Sequence, residues 1–147
     1  MFKRILVPTD GSKLSQKAVS KAIELARFSH AAVVALHVRP RFSDSRTGIY
    51  DRYEDHVETD YDRQVKSESD RLFAQINERA QAAGVAVDSA LVSSNEVWRA
   101  IIAAAKRKKC DLICMASHGR GGLSAVVLGS ETAKVLTHST IPVLVLR

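Results

Sequence analysis

Residues 110–134 read CDLICMASHGRGGLSAVVLGSETAK, an apolar run followed by a glycine-rich loop and the start of a helical pattern. A short and nearly continuous apolar run, such as 110–116, is typical of a strand buried on both faces of a parallel sheet. The chain begins with the same order of features, because RILVPT at 4–9 precedes a second helical pattern. These stretches predict a sheet of parallel strands joined by helices.

The rest of the chain continues this alternation. Further strands are predicted at 31–38, 85–92 and 141–146, and helices after Ser12, at about 60–83, from Ser93-Ser94 onward and at about 130–138. Ser12 is the expected N-cap of the first helix, and Gly84 is the expected stop of the second. Ser93 and Glu96 have capping-box spacing, which predicts that the third helix begins there. The pattern predicts right-handed βαβ units in a single α/β domain over 1–147, with helices on both faces of the sheet.

Composition and charge exclude several classes of protein. The chain has 147 residues, of which 46% are hydrophobic and 26% charged, as in a globular domain. No apolar stretch approaches the roughly 20 residues of a membrane span. The start, MFKRILVPTDGS, shows no small-residue cleavage site, so we expect no signal peptide and a cytoplasmic location. The net charge of +6 comes with few aromatic residues, so we expect it to serve solubility and not nucleic-acid binding.

For two other features of the sequence we predict no functional site. Cys110 and Cys114 lie in the apolar run, and no further metal ligands are near them in the sequence. We therefore expect two buried thiols and no metal site. The polar segment 39–60 is read as a long surface loop, for which we expect disorder in preference to a function.

The glycine-rich loop has a composition suited to a phosphate group. Ligands of open α/β sheets bind beyond the carboxyl ends of the strands, where this loop begins. Gly129 and Ser130 open a helix, whose first N–H groups are unpaired and carry partial positive charge. The side chains of Arg120, Ser130 and Thr132 offer further donors. A competing interpretation is that Gly129-Ser130 only caps the helix while the other glycines shape turns; composition alone favours this second interpretation.

Several well-known motifs do not fit this loop. A Walker A loop needs a Gly-Lys pair, which the chain lacks, and the dinucleotide fingerprint fails because Ser124 occupies its third glycine position. A nucleophile elbow centred on Ser117 would need glycine where Met115 stands. Ser117 and His118 are also expected to point apart, as adjacent residues near a strand end do. We therefore expect no hydrolase nucleophile here.

In its spacing the loop resembles the phosphate-binding motif of the universal stress protein family, G-x-x-G-x(9)-G-[ST]. The matching residues are Ala116, Gly119, Gly129 and Ser130, with nine residues between the last two glycines. The resemblance extends along the chain through KRILVPTDGS, ALHV and STIPVLVLR. It is closest to the ATP-binding branch of the family. Alanine replaces the first glycine; if Ala116 has extended backbone, as we expect, its methyl group weakens binding at most modestly.

The resemblance implies an open, twisted, Rossmann-like sheet of five parallel strands in the order 3-2-1-4-5. It also implies bound ATP, with Mg²⁺ carried by the phosphates. On the nucleoside side it implies contacts from Pro8, Thr9, Asp10, Gly11 and Ser12, with backbone groups of Val38 facing the adenine. Around the phosphates it implies Ala116, Ser117, His118, Gly119, Arg120, Gly121, Gly122, Gly129, Ser130, Glu131 and Thr132. A role in the turn remains an alternative to ribose contact for Asp10, and His118 either shapes the loop or accepts a phosphoryl group.

The family further implies a homodimer through 141–146, a short apolar strand predicted at a sheet edge that needs a partner or a cover. Two functions follow from these expectations. One is an ATP-binding regulator of the stress response; the other is a dimeric interaction protein of the same fold, without nucleotide, that uses 39–60 on unknown protein partners. Turnover is not expected as the main role, because no general base, Walker-type lysine or carboxylate pair is evident. Slow ATP hydrolysis or self-phosphorylation stays open.

Overall fold

The computed structural model describes residues 1–41, 60–119 and 128–147, with side chains from residue 63 onward in the middle range. The described strands are β1 (Arg4–Pro8), β2 (Ala32–Arg39), β3 (Val87–Ser93), β4 (Leu112–Ala116) and β5 (Val143–Leu146). The described helices are α1 (Lys13–Ser29), α2 (Asp60–Ala82), α3 (Val97–Arg107) and α4 (Ser130–His138). Strands and helices alternate as predicted. The predicted loop lies outside the described residues over 42–59.

The strands form one parallel sheet in the order β3-β2-β1-β4-β5, which confirms the expected fold class. β1 lies at the centre, with Ile5 opposite Val33 of β2 on one side and opposite Leu112 of β4 on the other. The chain moves outward from β1 in one direction through β2 and β3, then returns to start β4 on the other side. The carboxyl ends of β1 and β4 therefore flank the switch point where ligands of such sheets bind.

Two apolar layers hold the helices on opposite faces of the sheet. One face of β1, with Ile5 and Val7, packs against α1 and α2; the other, with Leu6, packs against α3 and α4. β1 is buried on both faces, which explains why its sequence is apolar without alternation. Among the described residues, no helix has the length and apolar character needed to cross a bilayer.

The predicted start of the first helix and the predicted end of the second are confirmed. The Ser12 hydroxyl accepts a hydrogen bond from the Ser15 N–H at 3.2 Å, as an N-cap does. Gly84 follows the end of α2 with φ of +69°, and its N–H donates to the Gln81 carbonyl at 3.0 Å. Glycine adopts this left-handed backbone without a Cβ penalty, so the chain leaves the helix and turns toward β3.

The predicted start of the third helix is wrong. Ser93 is the last residue of β3, where it pairs in register with Arg39 of β2, and α3 begins only at Val97. The Ser94 hydroxyl instead accepts from the Glu96 N–H at 3.1 Å, and Glu96 makes no side-chain cap. Pairing with β2 extends the strand through the position that the local capping pattern assigned to a helix.

At the amino-terminal end of the sheet, Asp111 joins β1 to β4. Its carboxylate accepts from the Lys3 N–H at 2.8 Å and from the Arg4 N–H at 3.0 Å, while its own N–H donates to the Arg4 carbonyl at 2.9 Å. Burial by itself raises the pKa of Asp111. The main-chain donors together lower it by more than burial raises it, so the pKa lies below its usual value of 3.8. The ionised carboxylate therefore stabilises the folded state.

We expect Asp111→Asn to lower the free energy of unfolding by about 1 kcal/mol at pH 7, the typical contribution of a hydrogen bond. The stability from a lowered carboxyl pKa is present above the unfolded pKa and is lost as the pH falls through the folded pKa. The difference between the two proteins should therefore shrink on acidification below about pH 4. Urea unfolding at pH 7, and at the lowest pH where both remain folded, measures it.

The control for this variant is Asp70→Asn, which makes the same charge change at an exposed position of α2. It should leave stability unchanged within about 0.5 kcal/mol at either pH. An Asp111→Asn penalty that stays constant as the pH falls would contradict the role given to the ionised carboxylate.

Candidate functional site

A cavity of about 260 Å³ opens at the carboxyl ends of β1, β2 and β4. It lies at the switch point of the sheet, where ligands are expected. The described residues that line it are Pro8, Thr9, Asp10, Ser15, Leu36, Val38, Val97, Ile101, Met115, Ala116, His118, Gly119, Glu131 and Thr132. Nine of these residues were predicted from the sequence, so most of the described site residues do meet in one place.

Five lining residues were not predicted: Ser15, Leu36, Val97, Ile101 and Met115. Four of them are apolar and belong to β2, α3 and β4, whose ends or inward faces reach this edge. They belong to no sequence motif. The only sequence signal for them is the helical or strand periodicity, which predicts that they face the protein interior. Together with Val38 they give the cavity apolar walls of the kind that small-molecule sites have.

The turn from β1 to α1 is held by hydrogen bonds of Thr9 and Asp10. Thr9 is buried; its N–H donates to the Leu36 carbonyl at 2.8 Å, and its hydroxyl lies 3.0 Å from that of Ser15. The Asp10 carboxylate accepts from the Ser12 N–H at 3.0 Å. Asp10 thus has the predicted role in the turn, and its contact with a ribose remains a prediction. Gly11 and Ser12 belong to the turn and the N-cap and do not line the cavity.

The start of α4 lies unusually close to the end of β4. The Gly129 N–H donates to the Ser117 carbonyl at 2.7 Å. A Cβ at position 129 would lie 3.1 Å from that same oxygen and 3.1 Å from the Cα of His118, closer than ordinary contacts. The φ of Gly129 is −61°, which any residue can adopt, so glycine is favoured here by the tight space and not by conformation.

Gly119 brings this loop against the first turn. A Cβ at Gly119 would lie only 2.6 Å from a carboxylate oxygen of Asp10. The loop after β4 and the turn after β1 are therefore in contact across the mouth of the cavity. The predicted residues Arg120, Gly121 and Gly122 lie outside the described residues.

The amino terminus of α4 faces the same region. The first-turn N–H groups of Ser130, Glu131 and Thr132 have no acceptor within the helix, and Gly129, its N-cap, has no side chain to supply one. Thr132 is buried, and its hydroxyl donates to the Ala116 carbonyl at 3.0 Å, which anchors α4 on β4. Its predicted role as a ligand donor stays a prediction. Ser130 is exposed beside it.

Ala116 lies at the position where the family motif has its first glycine. It is the last residue of β4 and pairs in register with Leu146 of β5. The expected extended backbone is therefore confirmed, and the methyl group causes no left-handed strain.

The expectation that Ser117 and His118 point apart is wrong. The Ser117 hydroxyl lies 3.1 Å from Nδ1 of His118. Ser117 follows β4 in a bend, so the alternation of side chains along a strand no longer applies to it. Ser117 is buried and does not line the cavity, whereas His118 does.

The two cysteines are buried, as predicted. Cys110 and Cys114 are free and buried. Burial raises the pKa of both thiols, that of Cys114 to about 11, so both are protonated at neutral pH. Within 1–41, 60–119 and 128–147, no group of three or more His, Cys, Asp or Glu side chains is arranged to hold a metal ion.

Glu131 joins two helices at the wall of the cavity. One oxygen of its carboxylate accepts from the Trp98 N–H, in the first turn of α3, at 2.8 Å, and the other lies 3.2 Å from Nζ of Lys134. Glu131 itself is in the first turn of α4, where a negative charge is favourable. The Trp98 ring in turn contacts the His138 ring, with centroids 4.5 Å apart. One carboxylate thus serves the positive ends of both helices.

We expect Glu131→Ala to lower the free energy of unfolding by about 1 kcal/mol, as loss of a helix cap does. Trp98 is the only tryptophan in the chain, so its emission spectrum should shift as the start of α3 loosens. Lys134→Ala is the matched control, because it removes the exposed partner of the same carboxylate and leaves the Trp98 N–H bonded. It should cost less than about 0.5 kcal/mol and leave the emission unchanged. Equal effects of the two variants would contradict the capping role.

A family model and a curated relative both identify the same protein family. The model of the Universal stress protein family matches residues 1–147. The chain is 34% identical over 150 residues to Universal stress protein YxiE of Bacillus subtilis, with 100% of each chain covered.

Solved structures agree with this result. The structure of MJ0577, a universal stress protein of Methanocaldococcus jannaschii, is 26% identical and has a TM-score of 0.75, covering 99% of this chain and 96% of that one. A universal stress protein solved in complex with cAMP is 22% identical and has a TM-score of 0.69, covering 99% of this chain and 97% of that one. At this identity the second likeness concerns the fold alone.

Proposed function

This chain belongs to the universal stress protein family, and on that premise we propose that it is an ATP-binding regulator of the stress response in the cytoplasm. The observation that carries the proposal is the close approach of Gly129 to Ser117. This approach sets the uncapped first turn of α4 beside an apolar cavity. An apolar cavity suits the base of a nucleotide, and main-chain donors at a helix amino terminus suit its phosphates.

The cavity supports binding of the nucleoside. Its volume of about 260 Å³ is just below the range of about 300 to 1,000 Å³ that is usual for small-molecule sites. The base and ribose would occupy this space, between the apolar side chains of α3 and the β2 residue Val38. Asp10 lies at the mouth, where a ribose hydroxyl would donate to it.

The start of α4 supports binding of the phosphates. Its first-turn N–H groups lack intrahelical acceptors, and a helix amino terminus attracts anions. The exposed Ser130 hydroxyl adds a donor, and we assign Arg120, Gly121 and Gly122 to the same phosphate-binding loop. Mg²⁺ would be held by the phosphates and its own waters, because this ion dehydrates reluctantly and needs few protein ligands.

A protein of this fold has been solved in complex with cAMP, so the fold accommodates an adenine nucleotide. We propose that occupancy by ATP, and not turnover, is the signal. The bound nucleotide would contact elements that follow β1, β2 and β4, so its presence would stabilise their relative positions.

Two measurements test the proposal directly. Denaturing the purified protein should release an adenine nucleotide, and Mg-ATP should raise the melting temperature of nucleotide-free protein by mass action. Absence of bound nucleotide, together with no calorimetric heat and no thermal shift at millimolar Mg-ATP, would refute it. That result would favour the interaction protein without nucleotide.

Ser130→Ala tests the phosphate end of the site. Loss of a hydrogen bond to a charged group corresponds to about a tenfold or larger weakening, so we expect at least that for ATP by calorimetry. Adenosine has no phosphate, so its affinity should be unchanged. Ser67→Ala, at an exposed serine of α2 that does not line the cavity, is the control and should bind both ligands as the wild type does. Equal weakening of ATP and adenosine would place the phosphates elsewhere.

We further propose that the protein is a homodimer joined through β5. In the described sheet β5 pairs with β4 on one side and has an open edge on the other. Leu144, in its middle, is 40% exposed. An apolar edge strand is an aggregation hazard unless it is paired or covered, and a second copy of β5 would satisfy both backbone and side chains.

Leu144→Asp should convert the dimer to a monomer in sedimentation velocity at micromolar concentration, because a charge opposes pairing of an edge strand. Leu91→Asp is the matched control at the opposite sheet edge, in β3, where the leucine is 38% exposed. It should leave the dimer intact. A wild-type monomer, or dissociation by the Leu91 variant alone, would contradict the assignment to β5.

A further inference from the structure

We propose that a groove between α1 and the end of β5 binds an acidic segment of another protein. The groove has a volume of about 380 Å³ and lies outside the nucleotide site. We call it the basic groove, because five of the eight described residues that line it are cationic: Lys13, Lys17, Lys21, Arg79 and Arg147.

The lysines form one wall of the basic groove. Lys13, Lys17 and Lys21 are four residues apart along α1, so they lie on one face and span about 12 Å. Arg79 reaches this wall from α2, and its guanidinium donates to the Gln16 side chain at 2.9 Å. Residues from two helices and from the strand end therefore bring positive charge to one place.

Within the described part of the chain, this positive charge is mostly uncompensated. Lys21 pairs with Glu24 at 2.7 Å, but both side chains are exposed, and such a pair contributes little. Among the described residues, no ion pair joins Lys13, Lys17 or Arg79 to a carboxylate. The first turn of α1 contains no acidic residue, although a helix amino terminus favours negative charge. Helix stability therefore does not account for lysine at position 13.

The floor of the basic groove is apolar. Leu146 lines it and packs on the face of the sheet that carries α1. A ligand that fits has apolar side chains for this floor and anionic groups for the wall. None of the described residues that line the groove is aromatic, so nucleic-acid bases would find no stacking partner among them.

An extended acidic peptide matches this arrangement in spacing. Lysines four residues apart on a helix are about 6 Å apart along its axis. Alternate side chains of an extended chain repeat at about 6.6 to 6.8 Å, so carboxylates at every second position would meet successive lysines. The occupant is therefore a protein segment with acidic residues at alternate positions and leucine-like residues between them.

The test uses a fluorescein-labelled ten-residue peptide, with glutamate at alternate positions and leucine at two of the others, and fluorescence anisotropy. The double variant Lys13→Glu/Lys17→Glu should bind at least tenfold more weakly than the wild type at low salt. The control Lys66→Glu/Lys106→Glu changes the net charge equally at exposed positions of α2 and α3, and should change affinity less than twofold. Wild-type binding should weaken at about 0.3 M salt, because exposed charges are screened.

The proposal would be overturned if the peptide did not bind at low salt, or if both double variants weakened binding equally. Displacement of the peptide by a single-stranded oligonucleotide of equal charge at the same concentration would also overturn it. So would a groove variant that changes only the sedimentation of the protein, because the groove would then be a contact between copies. Thermal unfolding checks that each variant folds. If the glutamate pair does not fold, Lys13→Gln/Lys17→Gln replaces it, with a loss of at least threefold expected.

Discussion

The hydrogen bond from the Gly129 N–H to the Ser117 carbonyl sets the distance between the end of β4 and the start of α4. Three residues further on, the Thr132 hydroxyl binds the Ala116 carbonyl and fixes the direction of the helix. Both contacts are made to main-chain atoms of one strand end, so the helix axis is set by the sheet itself. The cavity, its mouth and the donors of α4 all depend on this placement.

Much of the fold could be predicted because its signals are local. Apolar runs such as β1 mark strands buried on both faces, and Ser12 and Gly84 mark helix ends through contacts within a few residues. The start of α3 could not be predicted, because Ser93 pairs with Arg39, more than fifty residues earlier in the chain. Where a long-range pairing competes with a capping pattern, the pairing decides.

The candidate site could likewise be predicted only where its signals are local in the sequence. The glycines of the loop could be found from their spacing, and the structure explains the preference for glycine at position 129 through the tight space around it. The apolar wall could not be found, since Val97 and Ile101 carry no motif and reach the cavity only through packing of α3. The contact of Glu131 with the Trp98 N–H likewise joins two helices and appears only in three dimensions.

The burial of both cysteines limits how this protein can respond to its surroundings. Peroxides and disulfide reagents attack exposed thiolates, and the two cysteines of the chain are enclosed and protonated. Direct oxidation of a thiol is therefore a poor switch for this molecule. A change in cellular redox balance would have to reach it through the concentration of a small molecule or through another protein.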